Sequence, residues 1–331
     1  MGETVIVPQV SDSSSPRAGK LANVHSILQV LEQWYTLLAF IAIIIAGSIL
    51  SPDFFTVTNF RNVSLQLSMA VIIAIGMLCT IVTGGIDLSV GSVVALAGCI
   101  AAGLTQQGIS AVPAILLVLV LMGVAGAVSG LLVSKGGVAP FIATLATMTI
   151  WRGAAYMYQV GQDRRIDGTS FVSLLTAQVG PVPVPVIIMT SVALIAGFVL
   201  NRTRFGRSVY SVGGNREASR LVGISVNGTL VVVYIISAIL AGLSGIILTA
   251  RLALGTALVG QGYELDAIAA VVVGGASMSG GVGTVLNTVL GAFIIGFLNN
   301  ILNLAGVAAY PQMIIKGIII VAAVIWKRGR A

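Results

Sequence analysis

The sequence predicts an all-α polytopic membrane protein with about ten transmembrane helices, some of them short or broken, and both termini in the cytoplasm. Two observations carry that prediction. Of 331 residues, 57% are hydrophobic and only 8% are charged, with a mean hydropathy of +1.07, whereas a soluble domain carries roughly 25% charged residues. The apolar residues also fall in long runs that include many of the 40 glycines, the residue that lets transmembrane helices approach closely.

Residues 1–33 are polar and small, with Ser13-Ser14-Ser15-Pro16 in a row. They lack the apolar stretch of a secretory signal and read as a disordered cytoplasmic tail ending in a short interfacial helix over 25–33. The transmembrane domain spans 34–326, with apolar runs at 34–50, 66–83, 88–104, 112–133, 138–160, 182–200, 230–250, 265–276, 284–304 and 311–326. Most approach the roughly 20 residues that cross a ~30 Å hydrocarbon core. The run at 265–276 is too short and reads as a half-helix, a re-entrant segment or part of a longer helix. Residues 327–331 form a basic cytoplasmic C-terminus.

Ten crossings place Arg17, Lys20, Lys135, Arg202, Arg204, Arg207, Arg216, Arg220, Lys327, Arg328 and Arg330 inside, and only Arg61, Arg164, Arg165 and Arg251 outside. That asymmetry obeys the positive-inside rule. It also explains the net charge of +7 as a topology signal rather than a nucleic-acid surface. A weak likeness between Gly85-Ile86-Asp87-Leu88 and Tyr263-Glu264-Leu265-Asp266, each before a short apolar run, allows two five-span halves of opposite topology.

Other classes fall away. Cys79 and Cys99 sit in apolar runs as small hydrophobes, and the single histidine, His25, has no cluster around it, so neither a disulfide framework nor a metal site is implied. The only Gly-Lys pair, Gly19-Lys20, is not part of a phosphate-binding loop, and Gly280-Gly281-Val282-Gly283 completes no dinucleotide motif. No nucleophile–base pair suggests an enzyme.

The polar exceptions supply the candidate sites. Segment 201–228 contains Gly213-Gly214-Asn215-Arg216-Glu217-Ala218-Ser219-Arg220-Leu221-Val222-Gly223. Asn215 is an N-cap, Glu217 and Arg220 suit the two ends of the helix dipole, Ala218, Leu221 and Val222 share a face, and Gly223 stops the helix. Such a helix either rests on anionic lipid or docks into a groove on a soluble partner. Asp87, with Ser89 and Ser92, is a helix-break cap at the cytoplasmic end of its helix or, alternatively, an ion relay. Arg152 lies about 12 Å below the outer end of its helix by the helical rise, so Glu264 or Asp266 is expected to pair with it. Lys316 is near enough to the outer end to snorkel. Asn299, Asn300 and Asn303 fall on neighbouring faces, where their amides bond across a helix interface or line a path for an uncharged hydroxyl-rich solute.

Motifs along most of the chain resemble the membrane subunit of ribose-type ABC sugar importers. They are Ser51-Pro52-Asp53-Phe54-Phe55-Thr56, Gly84-Gly85-Ile86-Asp87-Leu88-Ser89-Val90-Gly91-Ser92, Phe141-Ile142-Ala143-Thr144-Leu145, Phe205-Gly206-Arg207 and Gly213-Gly214-Asn215 with Glu217-Ala218. Further on come Gly262-Tyr263-Glu264-Leu265-Asp266-Ala267-Ile268-Ala269-Ala270-Val271-Val272 and Gly296-Phe297-Leu298-Asn299-Asn300. Residues 1–33 and 161–181 have no counterpart in the resemblance.

The resemblance implies a homodimeric permease in the inner membrane, non-catalytic itself, with ATP and Mg held by a cytoplasmic ATP-binding subunit and the sugar delivered by an external binding protein. It assigns Gly213, Gly214, Asn215, Glu217, Arg220 and Gly223 to the coupling helix, and makes Arg61, Arg164, Arg165 and Arg251 candidates for docking the binding protein. Ribose is the expected sugar, with other pentoses, hexoses and polyols in the same architecture. An ion-coupled secondary transporter and a passive polyol channel are the rival readings.

Overall fold

A computed structural model describes residues 36–328; the expected tail over 1–33, its interfacial helix and the last three residues lie outside the described residues. Each of the ten apolar runs is a helix: α1 (Thr36–Leu50), α2 (Val57–Val82), α3 (Val90–Gln106), α4 (Ala111–Ser134), α5 (Pro140–Gln159), α7 (Val184–Arg202), α10 (Val226–Leu252), α11 (Tyr263–Val273), α12 (Val285–Leu304) and α13 (Ala309–Arg328). Among the described residues a 3-10 turn (Pro52–Phe55) and three α-helices lie between runs: α6 (Ser170–Thr176), α8 (Arg204–Gly214) and α9 (Arg216–Leu221). Two-residue strands complete the order, with β1 (Arg164–Arg165) paired antiparallel to β4 (Leu254–Gly255) and β2 (Gln178–Val179) to β3 (Val182–Pro183). The chain is an all-α polytopic membrane protein. Five helices, α2, α4, α7, α10 and α12, are long and apolar enough to cross a membrane by length and composition, and α1 and α3 are shorter apolar helices.

Local chemistry sets the boundaries. Thr56 Oγ1 accepts from Asn59 N–H at the start of α2, and Thr284 Oγ1 accepts from Asn287 N–H at the start of α12, each satisfying a donor that the first helical turn leaves free. Pro140 opens α5, where its missing N–H costs nothing. Leu116, Val120 and Val124 on α4, and Leu194, Ile195 and Phe198 on α7, are exposed. They form apolar faces suited to lipid. By contrast α2 is buried on all sides from Val71 to Val82, as a helix apolar all round should be.

The packing has a two-fold pattern. Helix α10 packs on α4, α3 and α2, and α2 packs on α12, α11 and α10; α3 meets α5 and α4, and α11 meets α13 and α12. Exchanging α1–α5 for α7, α10, α11, α12 and α13 maps these contacts onto one another. Halves of five spans have opposite topology, the arrangement of an inverted repeat. The weak sequence likeness around Asp87 and Asp266 marks equivalent places in the two halves, just before or at the start of α3 and α11.

Both short helices follow unwound backbone. Between α2 and α3 the chain is non-helical from Thr83 to Ser89, and between β4 and α11 it is non-helical from Thr256 to Gly262. On the charge-derived topology one segment enters from the cytoplasmic side and the other from outside. They meet where Gly91 and Gly260 press backbone to backbone; a Cβ on either would run into the carbonyl of the other, and Gly260 also holds φ at +77°. Helix α11, at 11 residues, is about 16 Å long and so spans only half of a ~30 Å core.

Irregular backbone is tolerated at membrane depth only where protein groups satisfy it. Arg152 does so here. Its Nη1 donates to the carbonyls of Ala257 and Val259, both at 2.6 Å, and Gln159 Nε2 donates to Gly255 O at 2.8 Å. The expected ion pair of Arg152 with Glu264 or Asp266 is therefore corrected. Arg152 and Glu264 interact through space without salt-bridge contact, and Asp266 is bound instead by Lys316 Nζ at 3.0 Å. Lys316 turns inward to that carboxylate rather than snorkelling, because a half-buried carboxylate stands within its reach.

Asp87 organises the other break. Its Oδ1 accepts from Ser89 N–H at 3.0 Å and Ser89 Oγ at 2.6 Å, and its Oδ2 accepts from Ser237 Oγ of α10 at 2.7 Å. Ser92 Oγ in turn donates to Ser89 O. The carbonyl of Ile86 accepts from Thr144 Oγ1 at 3.2 Å. Asp87 is 1% exposed, and its partner Ser237 lies 11 residues past the start of α10, about 16 Å along it. The expectation that Asp87 sits at the cytoplasmic end is thus corrected: the chain dips inward before α3 begins.

Replacing Arg152 by Met strands two carbonyls, at about 1–3 kcal/mol for each buried acceptor left unpaired. Thermal unfolding in detergent should show a lower Tm for Arg152→Met, partial recovery for Arg152→Lys, and new proteolysis within 253–262 in the Met variant alone.

Candidate functional site

The segment between α7 and α10 is the main polar feature of the cytoplasmic side. It contains two helices where the sequence reading had one. Helix α8 starts at the cap Thr203, whose Oγ1 accepts from Gly206 N–H at 3.2 Å. It buries Gly206, Val209 and Val212 on one face and leaves Arg204 and Arg207 on the other. The spacing of Val209 and Val212 is the sequence signal for α8, masked by the basic residues around them. Tyr210 Oη donates to Gly283 O at 2.7 Å, tying α8 to the loop between α11 and α12.

Helix α9 has the expected caps. Asn215 Oδ1 accepts from Ala218 N–H at 2.9 Å, and Gly223 follows the helix at φ +83°. Ser219 Oγ is hydrogen-bonded to Asn215 O and lies 3.0 Å from Ser211 Oγ, which fixes α9 against α8. Glu217 and Arg220 bond each other at 2.7 Å and are mostly exposed. Such an i,i+3 pair contributes little to stability. Leu221 and Val222 are 89% and 74% exposed, an apolar tip at the end of a rigidly capped turn.

Beneath that tip three glycine-bearing loops converge. Gly213 has no room for a Cβ: it would strike Val82 O, the end of α2, and would come within 2.6 Å of Gly281 N. Gly281 N–H donates to Val82 O at 2.8 Å, and a Cβ on Gly280 would sit 2.7 Å from Gly213 O and 3.0 Å from Gly84 N. Arg216 Nη2 donates to Thr83 O at 3.3 Å. The cytoplasmic segment therefore rests by backbone contact on the α2–α3 break and on the α11–α12 loop. Gly214, by contrast, has open space around it, so of the glycine pair only Gly213 is a packing position. The Gly280-Gly281 segment, which completes no nucleotide motif, serves in this joint.

The outer face is more built than a loop. Segment 161–181 carries α6, with Phe171 and Leu175 buried, and Ile166 is buried beside it. Arg164 is committed to the fold: it donates to Gln159 Oε1, Gln106 Oε1 and Tyr158 O, and its guanidinium lies 5.2 Å from the Tyr158 ring centroid. Arg165, Arg251 and Arg61 keep exposed side chains, and Arg61 and Arg251 line one outer cavity of about 470 Å³. The structure therefore separates Arg164 from the other three candidates.

The asparagine cluster also divides. Asn300 exchanges two hydrogen bonds with Asn59 of α2, at 3.1 and 2.7 Å, which is the interface role. Asn303 Oδ1 accepts from Gln312 of α13 at 2.8 Å. Asn299 faces a cleft between α2, α11, α12 and α13. Among the described residues no group of three or more His, Cys, Asp or Glu side chains is placed to hold a metal ion.

Comparison with known proteins agrees with this architecture. Over 295 residues the chain is 45% identical to the ribose import permease protein RbsC of Escherichia coli K12, covering 88% of this chain and 92% of that one. It is 42% identical over 305 residues to the ribose import permease protein RbsC of Bacillus subtilis 168, covering 91% and 94%. It is also 42% identical over 290 residues to the D-allose transport system permease protein AlsC of Escherichia coli K12, covering 86% and 88%. No solved structure matches the chain. The family described as branched-chain amino acid transport system / permease component matches residues 59–324, and the chain belongs to that family of membrane permeases.

Proposed function

We propose that this chain is the transmembrane subunit of an ATP-driven, binding-protein-dependent importer of a monosaccharide, ribose first among the candidates. Two copies would form the pathway, with ATP and Mg held by cytoplasmic ATP-binding subunits and sugar delivered by an external binding protein. The observation that carries this reading is the α8–α9 pair: α9 presents Leu221 and Val222 to solvent, Arg216 at its start bonds Thr83 O, and Gly213 at the adjoining end of α8 presses on Val82 and the Gly280-Gly281 turn. An ATPase groove that takes the apolar tip moves α9 together with α8, to which Ser219 and Ser211 tie it, and the backbone contact at Gly213 passes that movement on. The displacement reaches the breaks before α3 and between α11 and α12, so the helices on either side rotate as rigid bodies between outward and inward access. The identity with ribose permeases supports the sugar, and the D-allose relative makes a hexose the nearest alternative. Asp87, held by three donors and 1% exposed, suits a structural hinge better than a coupling-ion site.

The deciding experiment is labelled-ribose uptake into proteoliposomes that carry the chain with its ATPase, the binding protein being added outside. Uptake requiring both internal ATP and the binding protein is expected; gradient-driven flux through the chain alone overturns the reading. In the same system Leu221→Asp with Val222→Asp should reduce uptake at least tenfold while leaving the detergent Tm unchanged, since neither side chain is buried. Gly213→Val should reduce both uptake and Tm.

On the outer face, Arg165→Glu with Arg251→Glu should raise the concentration of binding protein needed for half-maximal ATPase stimulation several-fold, more so at low salt. Arg164→Glu should instead lower Tm, because it breaks contacts within the fold.

A further inference from the structure

The cleft between α2, α11, α12 and α13 has features that the coupling and docking surfaces do not explain. It encloses about 280 Å³ and continues into a narrower recess between Leu67, Ala270 and Ile295, close to the lower end of the roughly 300–1,000 Å³ typical of small-molecule sites. Its polar lining includes one side chain from each helix, Gln66, Asp266, Asn299 and Lys316, with Gln261, Asn303 and Gln312 beside them. Counted along their helices at the helical rise, Gln66, Asn299 and Lys316 lie about 13, 7 and 10 Å from the outer ends. They form one band within the outer half of the membrane domain. Lipid-facing helices have no use for such a band, and intramembrane polar groups default to a functional role.

Asn299 is the informative member. It is 7% exposed, and its Oδ1 is buried without a hydrogen-bond partner among the described residues. Asn300 and Asn303, on the same helix, are both satisfied, so the missing partner is particular to the position that faces the cleft. A buried acceptor left unpaired is costly, and a ligand hydroxyl would complete it.

Lys316 and Asp266 neutralise one another at 3.0 Å, which gives the cleft both donors and acceptors without net charge. Tyr263 supplies an aromatic wall for the C–H face of a ring. We propose that this cleft is an intramembrane holding site for a neutral polyhydroxylated solute, in which Asn299 Oδ1 accepts from a ligand hydroxyl and Gln66, Asp266 and Lys316 bond the others. The proposal rests on the sugar-import reading and adds the place where the sugar pauses after release from the binding protein.

The test uses the proteoliposomes described above with labelled ribose, allose, xylitol and leucine, comparing the native chain with Asn299→Leu and Gln66→Leu. If the native chain moves leucine and no polyhydroxylated solute, the import reading fails and the holding site fails with it. If it moves a sugar, Asn299→Leu is expected to lower uptake at least tenfold while ATP hydrolysis stimulated by loaded binding protein stays within twofold. Its detergent Tm should be equal or higher, because an unpaired acceptor is replaced by an apolar group. Gln66→Leu should raise the half-saturating sugar concentration several-fold. Uptake by Asn299→Leu within twofold of native, or loss of uptake together with a lower Tm, overturns the holding site and leaves the import reading standing.

Discussion

Every backbone N–H and C=O placed at membrane depth must find a partner inside the protein, because lipid offers none. Ordinary spans meet that requirement by themselves; α3 and α11 do not, since each begins after several residues of unwound chain. The polar residues that the sequence scatters among apolar runs are largely placed to repair this. Arg152 and Gln159 serve the carbonyls of Gly255, Ala257 and Val259, while Asp87 and Thr144 serve the turn before α3. Remove those side chains and the short helices lose the reason to stop where they do.

The same requirement shapes the route by which force can travel. Unwound segments are places where a chain can pivot without breaking a helix, and both are clamped by glycine contacts that leave no slack. Gly91 meets Gly260 between the two breaks, and Gly213 meets Val82 and Gly281 below the first. On the proposed coupling, a partner acting on Leu221 and Val222 would reach that pivot through the neighbouring Gly213. The two-fold packing pattern adds a consequence: a movement at the α2–α3 break has an equivalent at the α10–α11 break, and the two are in direct backbone contact.

Much of this was legible in the sequence, and the failures have a common origin. All ten apolar runs are helices, the caps Asn215 and Gly223 of α9 are where their residue types place them, and the short run at 265–276 is a short helix. The errors concern partners. Arg152 was assigned an acid because a buried cation needs compensation, yet carbonyls freed by unwinding provide it. Lys316 was assigned to the membrane surface, yet it meets Asp266. Arg164, one of the four candidate docking cations, also bonds side chains and backbone of two other segments of the outer face, which its residue type does not announce.

Composition and periodicity are local properties, so the sequence by itself determined which apolar runs are helices, which loops are basic, and that a capped amphipathic turn follows Gly214. Which polar group meets which depends on the neighbours that α2, α10, α11 and α12 bring together from segments more than a hundred residues apart. Only the tertiary structure could split Asn299, Asn300 and Asn303 into an open acceptor, an interface pair and a bond to α13. One helical turn carries all three, and a helix cannot specify by its own periodicity what stands opposite each of its faces.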